Sequence, residues 1–333
     1  MAVVYLLNSG VSAGKDGGRL VVKKEGEAIA SVPLQKVEGL IIGRNAQVST
    51  QVLFTFMQSR TPVVYVDGRG RICGTLMDSR ESLKRFKWQF SFAENQEKCA
   101  SLAREILSDK LAAQMELLRY YGRSRKDGQL KAAADEIGTC RRQLAAAGNV
   151  DTMRGLEGVA ASLYFKAFPH FLVDDGWHFP GRVHHLAYDP VNALLNYGYA
   201  FLEREVRLAL AAVFLSPRIG IIHANNDRRD SLVYDMMEPF RQKVTDRFVV
   251  KLLNRHVLHP DDFRDGKKGC RLTPEGSGLW IRAYEKYMET KVSEYGGLTP
   301  RAWIRISVRQ MAKRMKEIDE AGHDGVDGEM QVG

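Results

Sequence analysis

Near Ser82 the apolar residues of this chain change their spacing, from runs that suit strands to the 3.6-residue period of helices. That change dictates a two-part architecture. Between Ala2 and about residue 78, AVVYLLN, RLVVKK, EAIASVPL, VEGLIIG, TPVVYV and RICGTL are short, rich in Val, Ile and Leu, and bounded by Gly, Asn, Asp or Pro. Such runs predict strands. Glu25-Gly26 and Asp67-Gly68 are expected hairpin turns, and one helix is expected from about Ser49 to Arg60, with Val52, Leu53 and Phe56 on its apolar side. The expected class is α+β: a small N-terminal β-rich domain over 1–80, then a larger all-α domain over 81–322. The Gly-rich segment 323–333 has no periodicity and is expected to be a disordered tail.

A net charge of +9 and a pI of about 9.3 call for an acidic partner, nucleic acid first. No apolar run is long enough to span a membrane, and MAVVYLLNSG lacks a basic n-region, so a cytoplasmic location is expected. Cys73, Cys99, Cys140 and Cys270 form no C-x-x-C pair, which argues against a zinc site or disulfide framework and for buried free thiols. GVSAGK, from Gly10 to Lys15, is one residue short of a P-loop and is followed by Asp16 where Ser or Thr is required. It is not a nucleotide site, and GKDGG is expected to be a loop.

In the helical part, Ser82 to Tyr121 holds one long helix or two shorter ones. Its beginning interleaves Lys84, Arg85 and Lys87 with Phe86, Trp88 and Phe90. The rings are expected to be buried on an amphipathic face, with the cations available to phosphate. Asp127 to Ala147 is expected to be a polar surface or spacer helix. The helix Asp151 to Phe171, capped by Asp151 or Thr152, has an apolar stripe of Met153, Leu156, Ala160, Leu163 and Ala167, with Glu157 at its border. A carboxylate beside a buried face needs a cation, either a metal ion or a salt-bridge partner such as Arg154. Gly155 and Gly158 beside it let a backbone or a phosphate approach. Asp189-Pro190, Thr273-Pro274 and Thr299-Pro300 read as cap-and-proline helix starts. The first of these helices is apolar nearly all round, as a central packing helix would be, and the others run to Tyr295 and about Ala321. The last carries Arg301, Arg305, Arg309 and Lys313 at successive i, i+4 positions, a line that suits a phosphate backbone or a solvated face.

Gly220 to Arg241 carries the densest chemistry. His223 follows an apolar run, a polar loop brings Arg228 and Arg229, and a helical pattern then places Asp235 and Glu238 three residues apart on one face. Pro239 cannot donate a ladder bond and is expected to kink that helix, leaving the Asp235 carbonyl without its partner. His184 and His185 are expected in a loop, and His256 and His259 at the C-terminal end of the helix.

With Glu157, His223, Asp235 and Glu238 in view, the chain resembles the CRISPR-associated endonuclease and integrase that is the catalytic subunit of the spacer-acquisition complex. The resemblance covers nearly the whole sequence, including YLLNSGVSAGKDGGRLVVKKEG, VPLQKVEGLII, GLEGVAASLYF, DPVNALLNYGYAFLE and the His223 to Arg241 block. It implies a β-rich dimerisation domain joined to a helical catalytic domain, a homodimer, and two such dimers flanking a dimer of a small second acquisition protein. It implies metal ligands at Glu157, His223 and Glu238 with Asp235 as an additional acidic catalytic position. Glu238 stands where many relatives have Asp. Arg241 and either Arg228 or Arg229 fit basic positions that hold target phosphate.

Elementary chemistry is compatible with that set. Carboxylates plus one imidazole suit Mn²⁺ or Mg²⁺, with the imidazole favouring manganese over calcium. Such an ion serves phosphodiester transfer to water or to a 3′-hydroxyl, and resemblance implies the latter: fragment ends attacking the borders of a CRISPR repeat in double-stranded DNA. Two other classes share these residues, a metal-free basic DNA-binding scaffold and a metallohydrolase of small phosphate esters.

Overall fold

The structure, a computed structural model, describes residues 2–59, 61–67, 72–76, 83–174, 176–184, 186–223, 229–266 and 269–321. The chain divides into two compact units, Met1–Leu83 and Lys84–Gly333.

In the first unit β1 (Ala2–Leu6), β2 (Val11–Asp16), β3 (Arg19–Lys24), β4 (Glu27–Pro33), β5 (Val37–Gly43) and β6 (Gln47–Val48) precede α1 (Thr50–Gln58), and β7 (Val63–Val66) and β8 (Ile72–Leu76) follow it. One sheet has the order β1-β5-β7-β8 and the other β4-β3-β2-β6. β5 runs parallel to both β1 and β7, so its VEGLIIG sequence is apolar almost throughout, as a strand covered on both faces must be. Leu6, Leu20, Leu40, Val52, Phe56 and Val63 meet in one core. The GKDGG expectation fails in part, because Lys15 and Asp16 end β2 and pair with Leu20 and Arg19. Only Gly17 and Gly18 turn, Gly17 with a positive φ of 54°. Glu25-Gly26 is a hairpin turn with positive φ at both residues, 52° and 91°. Gly68, of the second expected turn, lies outside the described residues.

In the second unit α2 (Leu83–Glu94) and α3 (Gln96–Arg125) split at Asn95, whose side chain caps α3 by accepting from Lys98 N–H. α4 (Gly128–Ala146) is more than a spacer. Leu130, Ala134, Ile137 and Leu144 are fully buried, and its small side chains let it lie along α3. α5 (Val150–Ala167) is capped by Asn149 rather than by Asp151 or Thr152, since the Asn149 side-chain oxygen accepts from the Thr152 N–H three residues on. α6 (Pro190–Ala212) is the central helix expected, capped by Asp189 and packed on α7 (Ser231–Met237) and on α10 (Pro300–Ala321). α8 (Arg247–Asn254) and α9 (Pro274–Glu289) complete the unit.

Pro239 has the effect expected, with one difference. The Asp235 carbonyl is not left alone but accepts from the Glu238 N–H. This tightens Glu238–Phe240 to a 3₁₀ turn, after which Arg241–Asp246 widens to a π turn before α8 resumes. The helix therefore changes pitch twice within nine residues, 238 to 246, and re-aims the side chains of that segment. His256 and His259 do not end this helix. His256 lies beyond α8 at a positive φ of 50°, and His259 opens the turn Pro260–Asp262. The rings of α2 also differ from expectation, because Phe86 and Phe90 are exposed while Trp88 donates to Asp319 at 2.8 Å. His184 is in a loop, and His185 and the tail from residue 322 lie outside the described residues.

Candidate active site

Helix α3 packs against α5 and against the kinked segment that follows α7, and through them it brings Glu157 and Glu238 to one cation. That cation is Lys110. Its Nζ forms an ion pair with Glu157 Oε1 and reaches Glu238 Oε2 at 2.5 Å. Lys110 is 6% exposed and Glu238 4%, whereas the Glu157 side chain keeps 24% of its surface open. The alternative partner for Glu157, Arg154, instead faces Asp151 at 3.4 Å.

The charges stabilise one another against burial. Desolvation alone would raise the Glu238 carboxyl, but Arg241 and Lys110, with His223 adding, hold it down at about 2. Burial would likewise lower the Lys110 ammonium, and Glu238 and Glu157 outweigh that and raise it. Arg241 completes the arrangement, its Nε 3.1 Å from Glu238 Oε1 and its guanidinium 4.9 Å from the centre of the Tyr199 ring. Glu238 thus has a cation on each side, Lys110 at Oε2 and Arg241 at Oε1.

His223 enters from a tight loop. Asp235, fully buried, accepts the backbone N–H groups of Ile221 at 2.5 Å, Ile222 at 3.0 Å and His223 at 3.1 Å, and the imidazole Nδ1 at 2.6 Å. Its oxygens are committed to fixing that loop and ring. Asp235 is thus a positioning residue in this geometry, which is why its spacing from Glu238 does not make the two a ligand pair. Fixing Nδ1 as the protonated nitrogen leaves Nε2 with the lone pair.

Among the described residues no three His, Cys, Asp or Glu side chains converge closely enough to hold an ion as they stand. The chemistry of the donor set nonetheless suits one: two carboxylates sharing a cation, and an imidazole near enough to Glu238 to lower its pKa. The ammonium now between them has the same sign of charge.

The expected nucleic-acid contacts divide. Arg229 and Arg309 are exposed and Arg305 is half-buried. Arg241 is taken up by Glu238 and Tyr199. Arg301 departs from the expected surface line, since it is 4% exposed and held by Glu205 and Glu285, each at 3.0 Å. Carboxylates from α6 and α9 neutralise it inside the fold, so it has no face for a phosphate. Arg228 lies outside the described residues.

Two features escaped the sequence reading. Lys110 sits on the buried face of α3 with Ile106, Leu107 and Gln114, so its one signal was a charge within an apolar stripe. Asp246, fully buried, accepts from Tyr199 at 2.6 Å and Tyr164 at 3.0 Å, and burial raises its pKa to about 6 despite these bonds and the nearby Arg182 and Arg241.

The family model described as CRISPR associated protein Cas1 matches residues 4–286. The chain belongs to the Cas1 family. A CRISPR-associated endonuclease Cas1 from Archaeoglobus fulgidus is 29% identical over 302 residues, covering 85% of this chain and 87% of that one. A CRISPR-associated exonuclease Cas4/endonuclease Cas1 fusion from Geobacter sulfurreducens is 30% identical over 87% of this chain, which spans only 53% of the fusion. A solved CAS1 protein from Thermotoga maritima superposes with a TM-score of 0.80 at 24% identity over 95% of this chain and 97% of that one. It has the same fold, a β-sheet region followed by a mostly helical domain. A chain of a Cas6-RT-Cas1–Cas2 complex superposes with a TM-score of 0.78 at 21% identity, over 95% of this chain and 35% of that one. As a Cas1 this chain is an endonuclease and integrase of CRISPR adaptation, acting in spacer acquisition. No helix of the described residues is long and apolar enough to cross a membrane.

Proposed function

We propose that integration by this Cas1 depends on a divalent cation, Mn²⁺ or Mg²⁺, held by Glu157, His223 and Glu238. The observation that carries the reading is the convergence of Glu157 and the buried Glu238 on one cation, Lys110. When bound, such an ion neutralises charge building on the phosphoryl oxygens and favours deprotonation of the attacking hydroxyl. The residues do the rest by position. Asp235 holds the His223 ring in one tautomer with Nε2 as the donor atom, Arg241 fixes the Glu238 carboxylate in one rotamer, and Glu157, the more open carboxylate, faces the side from which a phosphodiester enters. The reaction is a 3′-hydroxyl attack by a short DNA fragment on a repeat-border phosphodiester of the CRISPR array. Water in place of that hydroxyl gives cleavage.

The exposed Arg229 and Arg309 and the half-buried Arg305 are the proposed backbone contacts for double-stranded DNA. The β-unit is proposed as the homodimer interface, supported by β4, on which Ile29 is 58% exposed. Two such dimers with one dimer of the small second acquisition protein make the proposed working assembly, in the cytoplasm. The likeness to a chain of a Cas1–Cas2 complex supports that partner.

The test is strand transfer of a short duplex into supercoiled repeat DNA with Mn²⁺. Glu157→Ala and His223→Ala each abolish joining while folding and DNA binding persist. A joined product from either variant, or from wild type in chelator, overturns the metal-site reading, whereas DNA binding without joining by wild type in Mn²⁺ returns it to a metal-free DNA-binding scaffold.

A further inference from the structure

We propose that Lys110 is a resident counter-cation of the active site: it holds Glu157 and Glu238 together in the metal-free protein, and a divalent ion must displace it to bind. The inference rests on the metal-site reading above and goes beyond it, because the lysine is then a competitor of the metal and sets its affinity.

The geometry leaves little alternative for the ammonium. Lys110 is nearly inaccessible, projecting from the buried face of α3, and its Nζ contacts one carboxylate from α5 and one from the segment after α7. A buried carboxylate and a half-buried one so close would repel if left alone, and would splay or take up a proton. The ammonium prevents both and keeps the two oxygens directed at a common point. A divalent ion entering there brings twice the charge, and the ammonium cannot remain against it without like-charge repulsion in a site shielded from water. The side chain has a route out, since its four-carbon stem is flexible and Glu157 opens to solvent on one side. A lysine released on that side adds a positive charge next to the entering phosphate.

The experiment measures Mn²⁺ binding by calorimetry to the full chain, comparing wild type, Lys110→Met and Glu157→Gln, with thermal unfolding of each in chelator. Lys110→Met removes the competitor at similar volume, so its Mn²⁺ Kd falls by about tenfold or more, while its metal-free Tm drops by roughly 3 °C or more and recovers on adding Mn²⁺. Mn²⁺ binding to Lys110→Met that is equal to or weaker than wild type overturns the proposal. Because that variant can fold poorly without metal, the wild-type protein gives a second readout: acetylation of Lys110, followed by mass spectrometry, rises when Mn²⁺ is added. Protection that does not change with Mn²⁺, under conditions where calorimetry shows Glu157-dependent binding, also overturns it. If neither wild type nor Lys110→Met binds Mn²⁺ in a way that Glu157→Gln abolishes, the metal-site reading itself has failed, and that result is distinct from the other two.

Discussion

Asp235 Oδ1 accepts the Nδ1–H of His223 at 2.6 Å and, from the same carboxylate, three consecutive backbone N–H groups are satisfied. One side chain therefore sets both the path of the loop and the rotation of the ring. Asp235→Asn keeps the size but offers one acceptor oxygen in place of two and turns a donor toward backbone donors. We expect it to cost about 1–3 kcal/mol of stability and about 10–100-fold in metal affinity. Urea unfolding and Mn²⁺ titration check the two losses separately, and normal affinity in a destabilised variant would remove Asp235 from any positioning role.

Gly220 lies at the back of that loop. A Cβ there would come within 2.5 Å of Ser231 Cβ, 2.9 Å of the His223 carbonyl and 3.1 Å of Asp235 Oδ2. Backbone and a carboxylate already fixed by three amides cannot yield cheaply, so Gly220→Ala is expected to cost about 1–3 kcal/mol and to displace His223. Strand transfer should fall even at temperatures where the variant is fully folded. Activity equal to wild type under those conditions shows that the loop has slack.

Arg301 and Arg309 look alike in sequence and should behave in opposite ways. Arg301→Ala leaves Glu205, 5% exposed, without its guanidinium, and is expected to destabilise by about 3–5 kcal/mol. Arg309→Ala removes an exposed charge; stability stays within about 0.5 kcal/mol, and DNA affinity drops with a salt slope shallower by roughly one. Denaturant midpoints and binding measured across a salt series separate them.

How far the sequence carries depends on whether the partner of each side chain is local. Pro239 and Asp189-Pro190 act within one helical turn, and both were legible. The strand and helix pattern was legible for the same reason, with Val11–Asp16 hidden by its two following glycines. Arg301 was misread because its carboxylates come from helices beginning at Pro190 and Pro274, which no spacing within α10 reveals. Asp235 was placed with the catalytic acids on its spacing and on the family resemblance, while its engagement with 221–223 depends on a loop closing back on the helix. Lys110 was visible only as a charge out of place in an apolar stripe. Glu157 read as needing a cation; that α3 supplies one, shared with Glu238, is a tertiary fact.

Glu238 and Asp246 make the stability depend on pH in opposite senses. Glu238, held at about 2 in the folded chain against an ordinary 4.5, contributes stability that is present above pH 4.5 and lost as pH falls toward 2. Asp246 is raised from 3.8 to about 6, so the folded chain binds the extra proton between those values and stability falls as pH rises through them, then levels. The difference of about two units corresponds to roughly 3 kcal/mol. Asp246→Asn cannot ionise, so the change in unfolding free energy between pH 4 and pH 6.5 should shift toward greater stability at the higher pH by roughly that amount relative to wild type, and the acid limb below pH 4 should remain. Urea unfolding of both proteins across pH 3 to 8 measures this, and parallel curves would mean that Asp246 is already ionised at pH 4, held so by Tyr164, Tyr199, Arg182 and Arg241.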